Sequence, residues 1–226
     1  PPNVILIITD DQGYGDFGFT GNPHVETPVI DQLAKESVRL NNFYVSPVCA
    51  PTRSSLMTGR YSLRTGVRDT YNGGATMATE EITLAEMLKD AGYETGAFGK
   101  WHLGDNYPFR PGDQGFDESL IHLAGGMGQP GDFTTYFQKD RSYFDPTLWS
   151  NAPHTPLQVP DEYYQKYKDI DPSSGFGGNG MPMPKMSEKD KEDARKVYAM
   201  VSNIDDNIGK LVQKLEERGI SENTIL

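Results

Sequence analysis

The chain has 226 residues, a net charge of −11 and a single cysteine. That length supports one domain, or one and a fraction, with enough chain to bury a sizeable core. The acidic balance argues against nucleic acid, whose binding needs a basic face, and no run approaches the ~20 apolar residues of a membrane span. The chain opens at Pro1 without a basic n-region or an apolar h-region, so no signal peptide is expected in it. One cysteine leaves the redox compartment open.

Val4 to Ile8 is an unbroken β-branched and Leu run, which predicts a strand buried on both faces of a parallel sheet. It ends in Asp10-Asp11, and open α/β sheets bind ligands beyond the carboxyl ends of their strands. Thr27-Pro28 opens a helix with Val29, Ile30, Leu33, Ala34 and Val38 on one face. Cys49-Ala50-Pro51-Thr52-Arg53 opens a second, which Gly59 stops. A free cysteine is most often a small packing residue. At a helix N-terminus, however, orphan N–H groups and the macrodipole attract anions, and Arg53 lies one turn on.

Thr83-x-x-Glu86 is a capping box, and its helix stops at Gly92. Tyr93 to Phe98 predicts a short strand that delivers Gly99-Lys100-Trp101-His102, the second strand to end in polar residues. From Asp105 to about Gly180 the chain is rich in Gly, Pro and aromatics with weak periodicity, and Gly175 to Pro184 reads as a flexible loop. From Ser187 a long amphipathic helix carries Ala194, Val197, Tyr198, Val201, Ile204, Ile208, Leu211, Val212 and Leu215. Gly219 ends it, and Thr224-Ile225-Leu226 starts another strand.

Asp10 and Asp11 are hard oxygen donors of the kind Ca²⁺ or Mg²⁺ takes; an Asp-rich turn, Asp10 to Gly13, is the alternative. Adjacent like charges repel unless a cation or basic group joins them. Asp16 reads as structural, as do His24 and His122. His154 sits between Pro153 and Pro156, in a loop.

Cys49 to Arg53 followed by Ser54-Ser55-Leu56-Met57-Thr58-Gly59-Arg60 resembles the signature of type I sulfatases, in the alkaline phosphatase superfamily. The resemblance extends in the family's order to residues 3–16, Gly99 to Gly104, Gly115 to Asp117 and Ala152 to Pro156. It implies an α/β fold, a mostly parallel mixed sheet flanked by helices. Residues 1–226 would form the catalytic N-terminal domain, with an irregular region over about 105–186. It also implies that a maturation enzyme oxidises Cys49 to formylglycine, and that Asp10, Asp11 and the modified Cys49 bind a divalent cation, Ca²⁺ or possibly Mg²⁺. Periplasmic or secreted location is favoured by the resemblance alone.

The implied reaction is hydrolysis of a sulfate monoester, aryl or carbohydrate. Hydrated formylglycine is a geminal diol: one hydroxyl attacks sulfur in line, and the second then loses its proton, expelling sulfate. The resemblance gives His102 the proton-removing role, Lys100 and Arg53 the diol and sulfate charge, and His154 the leaving-group side. Phosphoryl transfer wants the same in-line geometry and charge clamp, so a phosphonate or phosphodiester hydrolase is an alternative. A non-catalytic metal- or glycan-binding relative is another. Tyr71, Trp101, Tyr136, Tyr143 and Trp149 are candidates to stack on a sugar, although aromatics are more often core.

Two departures from the family pattern stand out. The strand with S-D-N-G-type residues that completes the metal site is not in the sequence, nor is the smaller C-terminal domain. Tyr143 to Asn151 also supplies neither the helix nor the apolar strand expected before Ala152. The chain is therefore expected to be incomplete.

Overall fold

The computed structural model describes residues 1–123, 125, 153–176 and 185–226. Tyr136, Tyr143 and Trp149, the 143–151 stretch and most of the Gly175 to Pro184 loop lie outside them. The architecture is α/β, with parallel strand pairs and flanking helices, in two compact units: residues 1–41 with 152–226, and residues 42–151. Among the described residues no helix is long and apolar enough to cross a membrane.

In the first unit β1 (Asn3–Val4) pairs in parallel with β4 (Thr224–Ile225). The ladder is shorter than the Val4 to Ile8 run because β4 meets only its start; Ile5 N–H donating to the Ile225 carbonyl at 2.8 Å is the last rung. The expected burial on both faces is not met, since Val4 and Leu6 are about half exposed. Helix α1 (Pro28–Glu36) begins at the expected proline but ends before Val38, which is 91% exposed. Ser37 is already extended, so Val38 leaves the apolar face assigned to it. Asp161–Tyr167 forms α4, inside the region expected to be irregular, and Tyr163 and Tyr167 bury one face of it. Helix α5 (Glu188–Glu217) follows a complete capping box between Ser187 and Asp190. Val25, Tyr163, Tyr167, Tyr198, Ala199 and Val201 form the core here.

Polar groups lock this core. The Ser202 hydroxyl donates to the Glu26 carbonyl at 2.7 Å, so Tyr167 O–H must donate to Ser202 Oγ while accepting from Glu26 N–H at 2.9 Å. Asp205 does a cap's work from another helix. The N-cap Thr27 gives α1 no side-chain cap; its hydroxyl accepts from Gly18 N–H and donates to Asp31 instead. The fully buried Asp205 carboxylate accepts from Val29 N–H at 3.0 Å and Ile30 N–H at 2.7 Å. A carboxylate at a helix N-terminus also complements the macrodipole. Gly209, one turn on, allows the approach: a Cβ there would lie 3.1 Å from Val29 Cγ2.

The second unit holds α2 (Cys49–Thr58), α3 (Leu84–Asp90), β2 (Gly96–Lys100) and β3 (Glu118–His122). Both stop signals hold: Gly59 takes φ +67° and Gly92 φ +87°. The Thr83–Glu86 capping box is complete in both directions. Strand β2 starts three residues later and ends two residues later than expected because β3, unforeseen in the sequence, pairs with it in parallel from Gly96↔Glu118 to Lys100↔His122. Ala50, Val67, Met77, Trp101 and Leu103 form the core. Trp101 is 4% exposed, meets Phe116 edge to face and donates from Nε1 to the Phe109 carbonyl at 2.8 Å. It is a packing residue and not a sugar platform.

Burial pushes the Asp205 carboxyl above its ordinary range, and the two amides oppose that shift. Part of what the hydrogen bonds contribute therefore offsets desolvation. Asp205→Ala, which leaves two half-buried donors at the start of α1 without this partner, is expected to destabilise the fold by about 2 kcal/mol, read as a lower denaturant midpoint at unchanged m.

Candidate active site

Cys49 is the first residue of α2, with Val48 as its extended N-cap. The helix therefore points its free amides toward the start of the segment that holds the sulfur. Two groups from the end of β2 reach that sulfur. Lys100 Nζ donates to Cys49 Sγ at 3.4 Å, and His102 Nδ1 lies 3.2 Å from it. Lys100 is only 9% exposed, so its charge acts in a medium far less screening than water. Arg53 is also buried, and its Nη1 donates to the Lys100 carbonyl at 2.8 Å. That bond ties α2 to the end of β2.

The ladder carries past the end of β2. Trp101 N–H donates to the His122 carbonyl at 3.1 Å and His102 N–H to the Leu123 carbonyl at 2.9 Å. His102 then takes φ +59°, a left-handed conformation uncommon outside glycine. The turn directs its ring to Cys49 on one side and to the Thr70 carbonyl, 3.0 Å from Nε2, on the other. Asp11 has φ +61°, so both segments that deliver candidate residues end in a left-handed turn. Such strain is held only where the surroundings over-determine it.

In the first unit Asp10 is buried and Asp11 exposed. His154 Nε2 lies 3.5 Å from Asp11 Oδ2, and its Nδ1 is 2.6 Å from the Thr155 carbonyl. Asp16 closes a turn by accepting from Gly13 N–H at 2.7 Å, and burial raises its carboxyl against that bond. Both polar atoms of the Gln12 amide are buried without a hydrogen-bond partner. The donors Asp10, Asp11 and the Gln12 oxygen fit a hard divalent cation in kind. Their number falls short of the six to eight oxygens that Ca²⁺ typically takes, and among the described residues no group of three or more His, Cys, Asp or Glu is gathered to hold a metal ion.

The structure thus brings together Cys49, Lys100, His102 and, through a carbonyl, Arg53, and separately joins Asp11 to His154. His24 has a packing role, with Nε2 2.8 Å from the Ser174 carbonyl and its ring near Tyr198 and Phe176. Thr70 was not a candidate from the sequence; a backbone carbonyl leaves no residue-type signal there.

The family model described as Sulfatase matches residues 2–226. The arylsulfatase of Klebsiella aerogenes is 30% identical, over all of this chain and 64% of its own length. The ulvan-active sulfatase of Formosa agariphila is 32% identical, over all of this chain and 49% of its own length. A crystal structure of Ps i-CgsB in complex with k-i-k-neocarrahexaose superposes with a TM-score of 0.74 at 28% identity, covering 99% of this chain and 56% of that one. The chain therefore spans between about half and two thirds of these relatives. A match along the whole chain, with the cysteine of its signature seated at a helix start between a lysine and a histidine, has one reading: the chain belongs to the sulfatase family, type I, of the alkaline phosphatase superfamily.

Proposed function

We propose that the protein hydrolyses sulfate monoesters, with position 49 as the reacting group. The observation that carries this reading is the placement of Cys49 Sγ within 3.4 Å of Lys100 Nζ and 3.2 Å of His102 Nδ1 at the first residue of α2. The arrangement meets what sulfuryl transfer asks of a protein: a nucleophile beside a base, and fixed positive charge for the sulfuryl oxygens. Oxidised to formylglycine by a maturation enzyme and hydrated, position 49 would supply both the attacking hydroxyl and the hydroxyl that later releases sulfate. Bound on Asp10 and Asp11, a divalent cation, Ca²⁺ in the first instance, would supply Lewis-acid charge.

The chain's own residues have distinct parts. His102 takes the proton from the group at position 49. Lys100 holds negative charge there, and the bond from Arg53 to the Lys100 carbonyl fixes the lysine's backbone. His154, whose Nε2 lies 3.5 Å from Asp11 Oδ2, serves the leaving-group oxygen as donor. An overall charge of −11 repels an anionic substrate, so cations at the reacting group must offset the global field. The names of the relatives and the oligosaccharide in the Ps i-CgsB complex support a carbohydrate sulfate as the substrate class.

The test is a paired measurement of rates on an aryl sulfate and an aryl phosphonate under one metal condition. The sulfate is expected to be the faster substrate; a faster phosphonate would assign the site to phosphonate hydrolysis. Within the same assay, Lys100→Ala is expected to lower kcat by roughly 10²–10³, the range for loss of one preorganised electrostatic contact. An unchanged kcat would remove Lys100 from the reaction.

A further inference from the structure

His102 is the base in the proposed reaction, and a neutral imidazole can act there only if the nitrogen facing position 49 carries the lone pair. Its other nitrogen settles which one does. Nε2 lies 3.0 Å from the Thr70 carbonyl oxygen, and a carbonyl oxygen only accepts. Nε2 therefore carries the hydrogen, and in the neutral ring Nδ1, 3.2 Å from Cys49 Sγ, is the acceptor.

The carbonyl is held by a loop that is stiff for local reasons. Arg68 N–H and Asp69 N–H both donate to the Gly74 carbonyl, at 2.8 and 3.1 Å, and Gly74 N–H donates back to the Tyr71 carbonyl at 2.8 Å. Thr70 N–H donates to Asp69 Oδ1 at 2.7 Å. Asn72 and Gly73 turn the chain with φ +52° and +73°. A Cβ on Gly74 would come within 2.8 Å of Asp69 Cβ and 3.0 Å of the Tyr71 carbonyl oxygen, so the loop closes on itself with no room to relax inward. Within this loop Thr70 presents its carbonyl to the ring.

The ring is also confined on a second side. A Cβ added at Gly125 would lie 2.7 Å from His102 Cε1, 2.9 Å from Nε2 and 3.4 Å from Nδ1. No other residue type fits at 125 unless the imidazole shifts. The ladder bond from His102 N–H to the Leu123 carbonyl holds the backbone from which the ring projects.

We propose that Thr70, through its carbonyl, and Gly125, through its missing side chain, are positioning residues that fix the Nε2–H tautomer and the placement of His102, so that its Nδ1 lone pair faces position 49. The proposal rests on the reading of position 49 as the reacting group.

The test combines ring ¹⁵N NMR of the histidines with steady-state kinetics on the intact protein, His102 being assigned by the signal lost in His102→Gln. The wild type is expected to show the Nε2–H tautomer. Gly125→Ala is expected to lower kcat about 10²-fold, the cost of displacing a reacting group by about 1 Å, with KM and the far-UV spectrum unchanged. Asp69→Ala, which frees Thr70 N–H, should lower kcat in the same sense, and Asp69→Asn, whose Oδ1 still accepts, should restore it. A wild-type Nδ1–H tautomer overturns the proposal, as does full kcat in folded Gly125→Ala. If that variant does not fold, the wild-type tautomer and the Asp69 pair decide. The tautomer needs no turnover to be read, so its failure sinks this proposal alone. Retained turnover in Cys49→Ala would instead sink the reading beneath it.

Discussion

The parallel register of β2 on β3 is the constraint on which the candidate centre depends. Five residue pairs set it, from Gly96↔Glu118 to Lys100↔His122, and two further bonds carry it through Trp101 and His102. Because side chains alternate along a strand, a slip of one residue would exchange the buried and presented sets. In the observed register Trp101 enters the core while Lys100 and His102, on either side of it, reach Cys49. The same tryptophan thus anchors the segment whose neighbours reach the sulfur.

Charge is arranged against the average. The chain as a whole is strongly acidic, yet Arg53 and Lys100 are both buried within one bonded group around the start of α2. Buried cations are costly unless they are paired or hydrogen-bonded. Here the guanidinium meets a carbonyl and the ammonium meets the sulfur. That cost accords with the proposed role of the site in holding an anionic substrate. In the first unit buried polar groups close on one another in the Tyr167–Ser202–Glu26 ring and the Asp205 cap.

What could be read from the sequence was local. The helix at Cys49 with its glycine stop, the Thr83–Glu86 capping box and the long apolar stripe of α5 depend on residues within a turn or two of each other, and all of them are present. Strand β3 was not legible: Glu118 to His122 mixes polar and apolar residues without clean alternation, and its partner lies 22 residues away. Helix α4 left a signal that was available, since Tyr163 and Tyr167 are spaced for one helical face. The extent of β1 and the exposure of Val38 were misjudged because periodicity reports a face and not what covers it. At the centre itself, the family resemblance pointed to Cys49, Lys100 and His102. The left-handed turn at His102, the Thr70 carbonyl and the space above Gly125 are backbone features with no side-chain signature.

The account turns on the chemical state of position 49 in protein that turns over substrate. Peptide mass spectrometry of the segment spanning Cys49 to Arg53, from a preparation whose specific activity has been measured, reads that state directly. The account predicts that the thiol is replaced by an aldehyde, in a fraction that rises and falls with activity across preparations. A fully active preparation in which Cys49 is an intact thiol would contradict it.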